Sequence, residues 1–414
     1  MIKRKDGSME KRLLLLSLLL LLVACNGDRP VGKNNPNTTE DNVPGDYQIT
    51  AEEKQETPPL EMATLQYAKN IDQVFMDANA GNSENFSYSP LGIALPTLVT
   101  IDFSTGTDRG EIIKKFDLQD TDFSGQSQAL AEEVADNDTL VVNNSWWLNQ
   151  DSSIDGESLK KYASKVRSPI YLLPFNREAT EQYSKWQKDV FGKIMNEKEF
   201  DPDSSLLLAN ALQFKGKWID PFYKEANYRS DFTNQDGSIV EREFMSQQGT
   251  IPIVETDDYL AVEKDMDEDF TAYFILPKEN KMDTVREQIA EITESLPDRV
   301  EFTDVIIDIP KVEISTSTLY DKDSNLGSFQ RLYDLYTTDL SQYRIYLTSI
   351  GQFIDLTIDE EGASADILTE VDVVEESALA DEPKQIRFNQ PFIFTVQDAN
   401  RVTVVTSVIQ NLSE

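Results

Sequence analysis

Apolar residues fall into three regimes along the chain. Leu13 to Ala24 is an apolar run interrupted only by Ser17. Asn26 to Pro59 holds Pro30, Pro36, Pro44, Pro58 and Pro59 among Asn, Thr, Asp and Glu, with little apolar surface to offset ordering entropy. From Leu60 to Glu414 the pattern is that of a folded domain. Leu65, Ala68, Ile71, Val74 and Phe75 recur at helical spacing. Ser89-Pro90 reads as an N-cap followed by proline at the first helical position, and the helix it opens is apolar (Leu91, Ile93, Ala94, Leu95). Leu140 to Leu148 and Leu206 to Phe214 read as buried strands. Ser158 to Val166 and Thr180 to Met195 read as helices. Past Phe222 strands dominate: Phe270 to Leu276, Val305 to Ile314, Ile354 to Ile358, Phe392 to Val396 and Val402 to Ile409. Helices early and strands late predict an α+β fold, and no repeat points to a solenoid.

Two amides interrupt these runs. Asn210 sits within Leu206 to Leu212, and Asn144 within Val141 to Trp147. A buried amide without partners costs on the order of 1–3 kcal/mol, so Asn210 is expected in a hydrogen-bond network. Asn144 fits either such a network or a capped strand end.

The first apolar run sends the chain to a membrane. Lys3, Arg4, Lys5, Lys11 and Arg12 precede it. A twelve-residue helix is roughly 18 Å long, too short for a bilayer core of about 30 Å. Residues 1–24 therefore read as a signal peptide, complete whether translation starts at Met1 or Met9. The run ends Leu22-Val23-Ala24-Cys25, which resembles a bacterial lipobox, and Cys25 is the only cysteine. A lipid on Cys25 would contribute about 0.8 kcal/mol per buried CH₂. Asn26 follows it, with no Asp to mark inner-membrane retention, so a cell-envelope lipoprotein at the outer membrane or surface of a Gram-negative bacterium is expected. Residues 25–59 form its acidic disordered tether, and residues 60–414 the domain.

Composition removes most chemistries. Lys and Arg number 38 against 74 Asp and Glu, a formal charge of −36. Such a chain does not coat nucleic acid. With no histidine, His-based triads and His metal sites are excluded; with one cysteine, so are intrachain disulfides and Cys₄ zinc sites. Asp265-Met266-Asp267-Glu268-Asp269 mimics the start of a calcium loop but has Phe270 and Leu276 where Gly and Glu are needed. Gly192-Lys193 and Gly216-Lys217 lack the rest of a phosphate loop. No cofactor and no metal is implied.

Six segments in order carry a family resemblance. They are Asn85-Phe86-Ser87-Tyr88-Ser89-Pro90-Leu91; Asn210 to Trp218 with Pro221-Phe222; Phe274-Ile275-Leu276-Pro277; Ile309-Pro310-Lys311-Val312; Thr357 to Ala363; and Phe388 to Phe394. Together they resemble the serpins over essentially all of Leu60 to Glu414. The resemblance implies a large central sheet with further sheets, surrounding helices and an exposed reactive loop at about 360–383. It implies a monomeric inhibitor rather than an enzyme, whose partner is a target protease held covalently. Cleavage of the loop lets its upstream half insert into the large sheet, dragging the esterified protease with it. It marks Glu360, Glu361, Gly362, Ala363, Ser364 and Ala365 as the hinge, and Glu376–Ser377 as the scissile bond, within about two residues. Ser89, Asn210, Gln352, Trp218 and Lys311 become the shutter and breach beneath the opening sheet, with Lys311 and Glu360 expected to bridge. Gly92 and Gln352 depart from the usual Ser and His, and Gln352 still donates and accepts.

The loop's own pattern supports insertion. Ala363, Ala365, Ile367, Thr369, Val371 and Val373 would form one face of a strand; Ser364, Asp366, Leu368, Glu370, Asp372 and Val374 the other, mostly polar face. Ile367 and Leu368 are bulkier than the family's usual small residues, which leaves a non-inhibitory surface binding protein as the alternative. Gly351 to Pro383 holds eleven carboxylates and no Lys or Arg. Trypsin-like enzymes are thus poor targets. Glu376 suits a glutamyl endopeptidase, while Val373, Val374 or Ala378 would suit an elastase.

Overall fold

The computed structural model describes residues 54–135, 139–334, 338–363 and 383–413. The chain runs α1 (Met62–Ala78), β1 (Phe86–Tyr88), α2 (Pro90–Phe103), α3 (Gly106–Lys115), α4 (Phe123–Ala135), β2 (Leu140–Asn149), α5 (Gly156–Lys165), β3 (Ile170–Leu173), α6 (Arg177–Phe191), β4 (Leu206–Phe214) and β5 (Gly216–Lys217). It continues through β6 (Tyr228–Thr233), β7 (Ile239–Glu255), β8 (Tyr259–Asp265), β9 (Thr271–Pro277), α7 (Met282–Arg286), α8 (Ile289–Ser295), β10 (Glu301–Pro310), β11 (Val312–Asp321) and β12 (Ser349–Ile358). It closes with β13 (Gly362–Ala363), β14 (Lys384–Arg387), β15 (Phe392–Gln397) and β16 (Thr403–Ile409). This is α+β, as the order of helices and strands predicts.

One large sheet runs β1-β16-β15-β9-β8-β7-β10-β14, with β6 on β7. Its inner faces, including Phe274, Phe392, Phe394 and Val408, pack with α1 and α2 into the main core. The remaining strands form a three-stranded ladder, β3-β2-β4, and two two-stranded ladders, β11-β12 and β13-β5. Helix α6 covers part of the first ladder through Trp147, Ala209, Ala179 and Phe200.

Local chemistry sets the elements. Ser89 caps α2 by accepting the Gly92 N–H at 2.9 Å, and Pro90 fills its first turn. Except for Pro96, which is half-buried, every residue of α2 is buried, which is why it has no polar stripe. Helix α6 stops at Phe191, short of the expected Met195. Gly192 takes a left-handed cap at φ +75°, and the Gln187 amide captures the next segment by accepting the N–H groups of Met195 (2.7 Å) and Asn196 (3.0 Å). The run Val305 to Ile314 is two strands, not one: β10 ends at Pro310, the Lys311 N–H turns to Glu243 O at 2.9 Å, and β11 enters another ladder. Strand β4 has the expected bounds, but only Ala209 and Ala211 are fully buried, because its outer edge is unpaired among the described residues.

The folded body starts earlier than Leu60. Gln126 Nε2 donates to Pro59 O at 2.9 Å, and Arg167 reaches the Thr57 hydroxyl at 3.2 Å.

Candidate functional site at the head of the divided sheet

Beyond Ile358 the chain reverses. Asp359 Oδ1 accepts the N–H groups of Glu361 (2.9 Å) and Gly362 (3.2 Å), and the Asp359 N–H donates to Gly362 O at 3.0 Å. The returning β13 pairs antiparallel with β5, Gly362 opposite Lys217 and Ala363 opposite Gly216. The two chains approach so closely that glycine is required at 362. A Cβ on Gly362 would lie 2.2 Å from Gly216 O, while one on Gly216 would meet side-chain ends, the Phe214 ring at 2.6 Å and Met266 Cε at 2.7 Å.

The segment after β5 holds this turn. The Trp218 N–H donates to Glu361 O (3.0 Å), the Phe222 N–H to Glu360 O (3.0 Å) and the Trp218 indole N–H to Asp359 O (2.9 Å). Glu360 is 4% exposed. Its Oε1 lies 2.7 Å from Lys311 Nζ and also accepts from Asn227. Burial alone would raise the Glu360 carboxyl, but Lys311, a backbone N–H and Asn227 together hold it below its usual range. Lys311 likewise rises against its burial because Glu360 and Glu243 face it.

Below the turn, the first helical turn of α2 touches both ladders. The Ser89 N–H donates to Gln352 Oε1 on β12 at 3.0 Å, and Gln352 Nε2 returns to Ser89 O at 3.2 Å. A Cβ on Gly92 would meet Leu212 Cδ1 of β4 at 2.9 Å, so helix and strand are in close contact there. Strands β4 and β12 thus flank one helix end, and among the described residues no backbone ladder joins them. Since β5 continues the line of β4, β13 occupies the head of the interval between β4 and β12. Lys193, just past α6, pairs with Asp355 on β12 and ties the helix's trailing segment to the far ladder. The arrangement can receive one added strand, antiparallel to β4.

Residues 66–409 match the family model described as Serpin (serine protease inhibitor). The chain belongs to the serpin family. An alpha-1-antitrypsin-like protein of Tamias sibiricus is 26% identical over 340 residues, covering 78% of this chain and 81% of that relative. The corticosteroid-binding globulin of Bos taurus is 30% identical over 219 residues, 48% of this chain and 50% of that one. Among solved structures, the thermophilic serpin tengpin in its native state superposes with a TM-score of 0.73 at 17% identity, over 87% of this chain and 97% of that one. Thyroxine-binding globulin in complex with thyroxine gives 0.70 at 17% identity, over 85% and 100%. The serpin fold is therefore this chain's fold, and serpins are mostly protease inhibitors rather than enzymes.

In this serpin, Glu360, Glu361, Gly362, Ala363, Trp218 and Lys311 meet at the head of the sheet. Ser89 and Gln352 meet at α2. Asn210 does not join them: its Nδ2 donates to Asn144 Oδ1 across the β2–β4 ladder at 2.7 Å, and its own Oδ1 is buried with no partner among the described residues. Ser364, Ala365, Glu376, Ser377 and Cys25 lie outside the described residues, as do residues 1–24 and the tether to residue 53. Among the described residues no cluster of three or more acidic or Cys side chains is placed to hold a metal. Asp267 instead accepts the Lys217 N–H at 2.8 Å, and Glu268 and Asp269 form a left-handed turn.

Sequence reasoning missed Asn227, Asp359 and Lys264. Lys264 is 7% exposed beneath the turn. Its ammonium sits 4.5 Å from the Phe222 ring centroid and 5.5 Å from that of Trp218, and donates to Gln247 Oε1 at 2.7 Å. Its signal was positional: in β8 it shares the inward face with Val262 and Leu260, where a lysine is out of place. Burial pushes Lys264 down to about 8 from 10.5. A lysine with a lowered folded pKa binds its proton less well when folded, so stability rises as pH climbs from the folded toward the unfolded value. Urea unfolding of the uncleaved protein should gain about 2 kcal/mol between about pH 8 and pH 10. Lys264→Met should flatten that segment of the profile. A wild-type profile already flat there would contradict the assignment.

Proposed function

We propose that this serpin is a suicide inhibitor of serine proteases, held at the cell envelope by a lipid on Cys25. The observation that carries the reading is the hinge: it already doubles back and pairs with β5 at the head of an interval whose two edge strands have no ladder between them among the described residues. A strand added there would pair with both edges, and its free-energy gain drives the trap.

The chemistry is acyl transfer stopped halfway. The protease serine attacks the Glu376 carbonyl, the bond to Ser377 breaks, and the Ser377 amine leaves with a proton. Residues 363–374 then supply a strand with small or apolar side chains on one face and mostly polar ones on the other. The acyl-enzyme is carried away before water reaches the ester. Eleven carboxylates without a Lys or Arg between Gly351 and Pro383 favour a glutamyl or elastase-like protease with a basic rim. An anchor at Cys25 would place this trap where foreign proteases reach the envelope.

The test is a denaturing gel of the purified chain with a glutamyl endopeptidase and, separately, an elastase. A detergent-stable band at the summed mass is expected, with the released peptide starting at Ser377. Clean cleavage without that band, from both enzymes, would support the second reading that Ile367 and Leu368 favour, a non-inhibitory serpin. A thermal melt of the cut protein separates the two further: a large rise in midpoint means the loop inserts, and no rise means it does not. Fractionation that finds the chain only in the cytoplasm would overturn the envelope assignment.

A further inference from the structure

The outer face of the β7–β10 ladder carries an apolar patch that the fold does not use. Phe302 is 73% exposed, while Val305, Ile307 and Ile309 of the same strand are buried. It lies opposite Pro252 in the ladder, and alternation places half-buried Ile306 on the same face. Exposed Asp304 shares that face as well. The Thr250 hydroxyl donates to Asp304 Oδ1 at 2.6 Å, and Asp304 makes no ion pair among the described residues.

This patch stands beside the place where the chain comes back from the reactive loop. Strand β14 is parallel to β10 with Lys384 opposite Val305, and Lys384 Nζ is fixed to Glu255 at 2.5 Å. Phe302 is three residues further out along β10, about 10 Å beyond that root. Eight residues separate Glu376 from Lys384, at most about 28 Å of extended chain. A protease of roughly 230 residues has a radius of gyration of about 17 Å. Engaged at Glu376, its body is tethered within reach of Phe302.

We infer that Phe302, with Pro252 and Ile306 beside it and Asp304 next to it on the same face, is a second contact for the target protease. The partner surface it fits is an apolar spot flanked by Lys or Arg, next to the protease cleft. Asp304 extends the sign of the loop's carboxylates, so one basic rim answers both. A single exposed aromatic needs no function on a protein surface; its place by the loop root, within reach of an engaged protease, is what gives this one a partner. The inference rests on the inhibitory reading.

The experiment uses the full chain and whichever protease gives the faster covalent complex. Phe302→Ala should lower the second-order rate of complex formation about fivefold or more, as truncation of an aromatic interface anchor does. The number of inhibitor molecules consumed per protease trapped, the melting midpoint and the cleavage site should stay unchanged, because Phe302 is exposed and distant from β4 and β12. Ile239→Ala, a change at another exposed apolar residue, at the start of β7, should leave the rate unchanged. Asp304→Asn should lower the rate at low salt and lessen its salt dependence. A Phe302→Ala rate within twofold of the parent, with the covalent band intact, overturns the contact alone. Absence of the band for the parent overturns the inhibitory reading, and the contact with it.

Discussion

Gly362→Ala is expected to turn the protein from an inhibitor into a substrate. The single added Cβ would fall 2.2 Å from the Gly216 carbonyl oxygen and 2.8 Å from Lys217 Cα. Both obstacles are backbone in a paired strand, so neither rotates away. At φ +158° the glycine also holds a backbone conformation that residues with a Cβ rarely adopt, so alanine meets strain as well as collision. The β13–β5 pair is therefore lost, and with it the register that starts an inserting strand. Asp359 can still hold the turn through the Glu361 N–H, so the protein should fold and the loop should remain cleavable. The ester then meets water before insertion begins. On the denaturing gel the covalent band should fall below about a tenth of the parent's at equal protease, while the rate of loop cleavage is kept. The cut variant should also lose the stability jump. Gly362→Val should be no worse than alanine, since the first carbon does the damage. Trapping by Gly362→Ala at the parent's efficiency would show that the observed hinge pairing is not the start of insertion.

How much of this was legible follows from which physical signals are local. Strand β4 is legible to the residue, because Leu206 to Phe214 is an apolar run bounded by Ser204-Ser205 and Lys215-Gly216. The Ser89 cap and the apolar helix behind it are equally local. Helix α6 misled at its end, since Ile194 and Met195 continue the apolar pattern while Gly192 stops the backbone. The break at Lys311 was hidden because apolar residues flank it on both sides and only tertiary structure sends them into different sheets. Helices α3, α7 and α8 are short, and their periodicity does not rise above the loop residues around them. At the site, the pairing of Lys311 with Glu360 came through family resemblance, since nothing local joins residues that far apart. The resemblance also grouped Asn210 with Ser89, whereas the β2–β4 register sets Asn210 against Asn144. Lys264 was missed because its meaning depends on which face of β8 is inward, and that is known only once β7 and β9 flank it.

Glu360→Lys should be the most damaging substitution at a charged residue of the breach. The carboxylate is almost wholly buried and meets Lys311 at 2.7 Å with Asn227 as a further donor. Breaking a buried ion pair costs about 3–5 kcal/mol, and the partial exposure of Lys311 argues for the lower end. Reversal adds repulsion, because the new ammonium faces Lys311 where only Glu243, at 3.2 Å from Lys311, offers compensation. A loss of about 3 kcal/mol is a large part of a total of about 5–15 kcal/mol. The hinge turn should detach, leaving the edges of β4 and β12 without β13 at their head. Unpaired edges recruit other strands, so self-association on gentle warming should accompany the lower midpoint. Size-exclusion chromatography and urea unfolding read both effects. The pH dependence gives an independent check. Glu360 has a lowered folded pKa, so its stabilisation is fully present above its unfolded value of about 4.5 and is lost as pH falls through the folded value. The gap between parent and Glu360→Lys should therefore be constant at neutral pH and narrow only below pH 4.5. The charge swap Lys311→Glu with Glu360→Lys should recover only part of the loss, since the new carboxylate at 311 stands beside Glu243. With Glu243→Gln added the swap should recover much of it; if that triple variant is as unstable as the single reversal, the cost lies in packing at residue 360 and not in its pair with Lys311.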